Sequence, residues 1–244
     1  MKVSTRYVGL LSLAVGLSSS GAWASSLDGR WDATLTANGA VIPFRLDISG
    51  DGPTLKGTLY NGEEKEYTTK ASFEGEKLVL NLEHYLTRII ATEKDGQLVG
   101  KIEMRGDKWP EGSPFHAVRY VPKAAAATSV PSIDGQWIVP INSPKGEKAW
   151  RFIVKQNGPE VSAAILRVDG DTGALTGTYQ DGRFVLSHFD GSRPYRLEVI
   201  AAKDGTLQLE QQGGGPRQGK LVAYRPEVAK AQGLPEPPKK VWRK

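Results

Sequence analysis

The sequence predicts an all-β protein built from two tandem antiparallel modules, each a β-sandwich or barrel-like unit, related by internal duplication. Three observations lead there. Short runs show period-two apolar alternation in whole or part: Leu46-Asp47-Ile48, Leu78-Val79-Leu80-Asn81-Leu82, Arg151-Phe152-Ile153-Val154 and Leu207-Gln208-Leu209. That period puts successive side chains on opposite faces of a strand. Turn pairs recur between such runs at Asn61-Gly62, Glu74-Gly75, Asp95-Gly96, Asn157-Gly158, Asp181-Gly182 and Asp204-Gly205. Asn-Gly and Asp-Gly supply the positive φ that tight hairpins need. Landmarks of the first half also return in the second. Leu27-Asp28-Gly29-Arg30-Trp31 recurs as Ile133-Asp134-Gly135-Gln136-Trp137, Gly52-Pro53 as Gly158-Pro159, and Leu78-Val79-Leu80 as Phe184-Val185-Leu186, all at an offset of 106. Asp95-Gly96-Gln97-Leu98 recurs as Asp204-Gly205-Thr206-Leu207 at 109. A near-constant offset of this length marks domain duplication, because solenoid units repeat every ~20–50 residues.

Taken in order, residues 1–24 read as a secretory signal: Lys2 and Arg6, an apolar run from Val8 to Leu17, then Ala22-Trp23-Ala24 before a mature start at Ser25. Residues 25–121 form the first module, with about eight strands expected by their spacing. Residues 122–131 are a small-residue linker between Pro122 and Pro131, and residues 132–225 form the second module. Residues 226–244 hold one short helix over 226–232, with Pro226 in its first turn, followed by a Pro- and Lys-rich spacer. The separate linker and the paired Asp-Gly-x-Trp entries predict that each module folds independently. The competing picture is one body whose sheets run across both copies.

The chain has 244 residues and no Cys, which excludes disulfides, thiol catalysis and thiolate metal sites. Its net charge of +5 lies at the ends. Lys2 and Arg6 sit in the signal, and the segment from Arg225 carries six cations against two anions, leaving −1 on residues 25–224. The folded body therefore offers no basic face for nucleic acid. No run after the signal is long enough to span a membrane at ~20 residues. An exported protein, placed in the periplasm or cell envelope, is expected, with no cofactor, no metal and no stable membrane insertion.

Candidate binding residues are His84, Tyr85, His188, Arg193, Trp31 and Trp137. His84-Tyr85 and His188-Phe189 each follow an apolar strand, where a His is a candidate base or ligand. A strand-end His beside an aromatic is more often a hydrogen-bonded turn residue. Ser187, His188 and Asp190 lie too close along one strand to converge as a triad. Gly29-Arg30-Trp31 and Gly135-Gln136-Trp137 resemble the G-x-W of lipocalin-like barrels, which implies Trp side chains closing barrel ends and, as an alternative function, a carrier of a small apolar ligand. Asp171-Thr172-Gly173 lacks the second carboxylate loop that aspartic proteolysis requires, and reads as a tight turn. Gly213-Gly214-Gly215-Pro216 lacks the Lys-Ser/Thr of a phosphate loop. No catalytic residue is expected.

The stretch from Ser162 through Gly173 and on to Phe189, with Trp150-Arg151 before it and Gly233-Leu234-Pro235-Glu236-Pro237 after it, resembles the N-terminal region of TlpA-type thiol–disulfide oxidoreductases of bacterial envelopes. The first-module stretch Phe44 to Asp47, Gly57, Asn61-Gly62 and Leu80 to Tyr85 resembles it too. The resemblance implies a β-rich accessory region ahead of a thioredoxin-fold domain that carries a Trp-Cys-x-x-Cys site. The chain has no Cys to carry that site and ends at Lys244 after a spacer, the pattern expected of a fragment or of a lost domain. The function so implied is a non-catalytic binding or scaffold region that positions a redox domain or its substrate protein.

Overall fold

A computed structural model describes residues 27–104, 111–122, 129–213 and 219–238. The signal segment, residues 123–128 of the linker, Gly214-Gly215-Pro216 and Lys239-Lys240 lie outside the described residues. Within them the chain is almost entirely antiparallel β, in two separate sheets that form a half-barrel and a nearly closed barrel. The modules share no sheet.

The first sheet contains β1 (Gly29–Ala37), β2 (Ala40–Ser49), β3 (Lys56–Asn61), β4 (Glu64–Tyr67), β5 (Lys70–Glu74), β6 (Lys77–Leu82), β7 (Thr87–Lys94), β8 (Gln97–Glu103) and β9 (Ser113–Arg119). Its order is β4-β3-β2-β1-β9-β8-β7-β6-β5. The second sheet contains β10 (Gly135–Pro140), β11 (Ala149–Asn157), β12 (Glu160–Arg167), β13 (Gly170–Asp171), β14 (Leu175–Gln180), β15 (Arg183–His188), β16 (Tyr195–Ala201), β17 (Leu207–Gly213) and β18 (Lys220–Ala223). It runs as a plain meander, with β13 paired to β12 beside the main path. Among the described residues the one α-helix, α1 (Pro226–Ala231), begins at the expected proline.

Both modules are the same meander opened at different seams. In the first, β1 and β9 pair along five residues, Trp31–Leu35 against Phe115–Arg119. The ring opens instead at Thr68-Thr69, where the amide of Thr68 bonds Gly57 O on β3 and that of Thr69 bonds Asn81 O on β6. In the second, β14 bridges the corresponding gap by pairing with both β12 and β15. There β10 and β18 meet only through the reciprocal amide bonds of Ile138 and Tyr224, at 2.8 and 2.9 Å.

Local sequence explains most of the turns. Asp95-Gly96 and Asp181-Gly182 both have positive φ at each residue and join strands directly across a two-residue turn. The hairpin after Arg167 turns at Val168-Asp169, and the Asp171 side chain accepts the Gly173 amide at 2.9 Å. That accounts for Asp171-Thr172-Gly173 as turn structure.

The alternating strand residues fill the interiors. Leu35, Ile42, Leu46, Leu59, Leu78, Leu80, Leu82, Ile89, Leu98 and Ile102 are fully buried in the first module. Val139, Phe152, Ile165, Leu175, Phe184, Leu186, Leu197 and Val199 are fully buried in the second. One residue breaks the partition. Phe189, fully buried, belongs to the first core although it follows β15 of the second module.

Candidate functional site at the module junction

Each barrel is closed at one end by a tryptophan clasp. Trp31 donates its indole N–H to Leu27 O at 3.0 Å, and Trp137 donates to Ile133 O at 2.9 Å. The Arg119 guanidinium lies 4.1 Å from the Trp31 ring centre and donates to Leu27 O and Asp28 O. Arg225 lies 3.8 Å from Trp137 and donates to Asp134 O at 2.7 Å. The glycine of each G-x-W is required by this arrangement. Gly29 and Gly135 have φ of +123° and +104°, and a Cβ there would stand 3.1 and 2.9 Å from the arginine Nη1. Trp31 and Trp137 are thus core residues of the barrel ends. Arg119 and Arg225 stand 106 apart, so the duplication offset already pointed at them.

The other four candidate residues come together at the opposite end of the first barrel, where the second module inserts its β15–β16 loop. Phe189 packs edge-on against Phe44 at 5.0 Å. The loop backbone is held by side chains of the first module. The Phe189 amide donates to Asn61 Oδ1 at 2.9 Å, Asn61 Nδ2 donates to Phe189 O at 3.2 Å, and Thr87 Oγ1 donates to Gly191 O at 2.6 Å. Gly191 has φ of +107°, and a Cβ would sit 2.9 Å from the Tyr85 ring. Behind the loop, Ser187 Oγ donates to Pro43 O at 2.5 Å, Arg196 donates to Val41 O at 2.7 Å and Asn38 donates to Gly213 O at 2.6 Å.

Asp190 is the hub. Its Oδ2 accepts the Tyr85 hydroxyl at 3.2 Å and lies 3.6 Å from His188 Nε2, while Oδ1 accepts the amide and hydroxyl of Ser192 at 2.9 and 3.0 Å. Burial alone would raise the Asp190 pKa, but His188 and the Ser192 donors outweigh it and hold it at about 2. Burial likewise opposes a charged His188; the Asp190 carboxylate and the Ala174 carbonyl, 3.0 Å from Nδ1, prevail and raise its pKa. The Tyr85 hydroxyl is raised by burial and by Asp190, against a lowering by the charge of Arg193. The His84 ring lies tilted against Tyr85, ring centres 4.4 Å apart, and pairs with Glu66 at 2.8 Å.

His84, Tyr85, His188 and Arg193 are therefore gathered at one junction. Ser187 points out to Pro43 while His188 turns inward, so the two diverge as strand alternation requires. Asp190 does return to His188, because the chain leaves the strand at Phe189. Asn61, Phe189 and Asp190 are not among the candidate binding residues read from sequence, and no local signal marks contacts between residues 128 and 105 positions apart. Among the described residues no three His, Asp or Glu side chains are placed to hold a metal ion. No described helix is long and apolar enough to cross a membrane. The chain matches no protein-family model, no curated protein and no solved structure.

Proposed function

We propose that the protein is a non-catalytic binding and positioning module of the cell envelope, similar in role to the front part of a TlpA-type thiol–disulfide oxidoreductase. The observation that supports this most is what the candidate chemical groups do. Tyr85, Asp190 and His188 are bound to one another across the junction, where they hold one barrel against the other. A general base needs a free lone pair facing a substrate, and both ring nitrogens of His188 face acceptors. A braced pair of barrels gives a partner a fixed platform. An apolar-ligand carrier, the alternative, needs an empty interior of roughly 300 Å3 or more. In the first barrel Trp31 and Phe189 belong to one continuous buried cluster.

Chemical crosslinking in the producing cells, followed by mass spectrometry, tests the reading. A thioredoxin-fold envelope protein, or that protein's substrate, crosslinked to this chain is the expected result. A chain that begins at Ser25 is expected in the same spectra. Recovery of the chain uncrosslinked to any envelope protein, with residues 1–24 retained, would overturn it.

A further inference from the structure

The two barrels differ sharply at the end where Phe189 plugs the first. Residues facing the first interior there are Leu35, Phe44, Leu82 and Ile102, all buried and apolar, with Asn61 and Thr87, which bind the plug. The duplication offset and the strand registers place Ile141, Trp150, His188, Gln211, Arg167 and Tyr195 at the matching positions. Strand alternation puts them on the inner face. Phe152, Ile165, Leu186, Leu197 and Leu209 point into the second core, and each of the strand residues Trp150, Arg167, His188, Tyr195 and Gln211 lies two positions from one of these. A mainly apolar end whose two polar residues bind the plug in one copy is a polar end in the other. The described hydrophobic residues packed into the second core come from the second module and, at Val130, from the linker, so no counterpart of Phe189 is among them.

Three polar atoms there lack a well-formed hydrogen bond, Arg167 Nε, Tyr195 OH and Gln211 Nε2, half of the six such buried atoms among the described residues, whereas Trp150 and His188 at the same end are bonded. A buried donor left unpaired is costly, so three at one barrel end call for an explanation. Burial keeps the Tyr195 hydroxyl protonated far above the ordinary tyrosine range, against the charge of Arg167 and a side-chain contact with it, so it remains a donor. The Arg167 guanidinium lies 4.7 Å from the Trp150 ring centre. The neighbouring Glu147 carboxylate is committed elsewhere, accepting Trp150 Nε1 and the Val168 amide, each at 2.8 Å.

We propose that this end of the second barrel binds a small monocarboxylate with a flat apolar body. Its carboxylate would accept from Arg167, Tyr195 and Gln211, and its body would lie against Trp150 and Ile141. A planar guanidinium matches a carboxylate in shape and charge. Arg167 faces inward beside the Glu147 anion, and the other inward cation, His188, is already paired with Asp190, so the end fits a single negative charge better than the double charge of a phosphate ester. Arg167 is half-buried and long, and it is the member that must swing to admit the ligand. The inference goes beyond the positioning role and does not depend on it.

Titration of the mature chain with benzoate, followed by calorimetry and by saturation-transfer NMR, tests it. Benzoate is expected to saturate one site, with benzamide, its neutral isostere, at least about tenfold weaker. Arg167→Met is expected to weaken benzoate about tenfold or more, and Tyr195→Phe about threefold to tenfold, leaving benzamide little changed. Benzoate and benzamide binding alike to the unaltered protein would overturn the proposal, as would absence of saturation by benzoate. That comparison needs no variant, and crosslinking to a redox partner would be unaffected by its outcome.

Discussion

Asn61 and Phe189 pair as two strand residues do: the Phe189 amide donates to the Asn61 side-chain oxygen at 2.9 Å, and the Asn61 side-chain nitrogen donates to the Phe189 carbonyl at 3.2 Å. A buried side-chain amide here takes the place of a missing strand. It satisfies the backbone of a foreign residue at the mouth of a barrel, and it lets a phenyl ring enter the core without leaving a polar group dry.

Phe189→Ala is expected to lower stability by about 3–5 kcal/mol, because a fully buried ring is lost and its cavity opens next to Phe44. Asn61→Ala is expected to cost about 1–3 kcal/mol by stranding the Phe189 amide and carbonyl. The double variant should cost less than the two single losses combined, since the residues share one contact. Chemical denaturation of the four proteins measures this; strict additivity would mean that the pair does not act as one unit.

The tryptophan clasps give a matched pair of tests. Arg119→Leu and Arg225→Leu each remove a guanidinium from an indole face and its bonds to the entry carbonyls. Each is expected to cost about 1–2 kcal/mol. Intrinsic tryptophan fluorescence should shift to the red in both. A variant with unchanged stability and spectrum would show that the clasp is ornamental at that end.

The His188–Asp190 pair predicts a window of greatest junction stability. His188 has a raised folded pKa, so its contribution is complete below the ordinary histidine value of 6.5 and fades as pH rises through the higher folded value. Asp190 falls from 3.8 to about 2, so its contribution is complete above 3.8 and is lost as pH falls towards 2. Stability from the pair should therefore be greatest between those limits. His188→Gln should flatten the alkaline limb and Asp190→Asn the acidic one, in melting temperatures measured across pH. Identical pH profiles for the unaltered protein and both variants would remove the pair from the account.

Some of this was legible in the sequence because its cause is local. Asp95-Gly96 and Asp181-Gly182 announce hairpins, since two consecutive positive φ values are cheap for those residues. The duplication carried Trp31 onto Trp137 and, read further, would have carried Arg119 onto Arg225. The same argument misleads at Asn61-Gly62. The turn itself uses Gly62 and Glu63, which leaves Asn61 as the last residue of β3 with its side chain free to reach the other module. Phe189 looks like any aromatic at a strand end, and nothing within ten residues of it reveals that its partners are Phe44 and Asn61. The polar mouth of the second barrel was hidden for a related reason. Arg167, Tyr195 and Gln211 sit on three strands and become one cluster only when the meander curls.

Separation of the modules is the final prediction, and the junction makes it unequal. The second core draws its described members from the second module and from Val130 of the linker, so residues 129–238 expressed by themselves are expected to fold with little loss. The first core includes Phe189, and its open end relies on that ring and on bonds from Asn61 and Thr87 to the inserted loop. Residues 25–122 alone are expected to fold but to melt well below the intact chain, with Asn61 and Thr87 turned to water and Phe44 uncovered. Adding the second module in trans should recover part of the difference, because the loop that carries Phe189 is presented by a module that needs no help to fold. The Phe189→Ala form of the second module should not. Circular dichroism melts of the fragments, separately and mixed, decide the matter. A first module as stable alone as in the whole chain would mean that Phe189 fills the barrel end without supporting it.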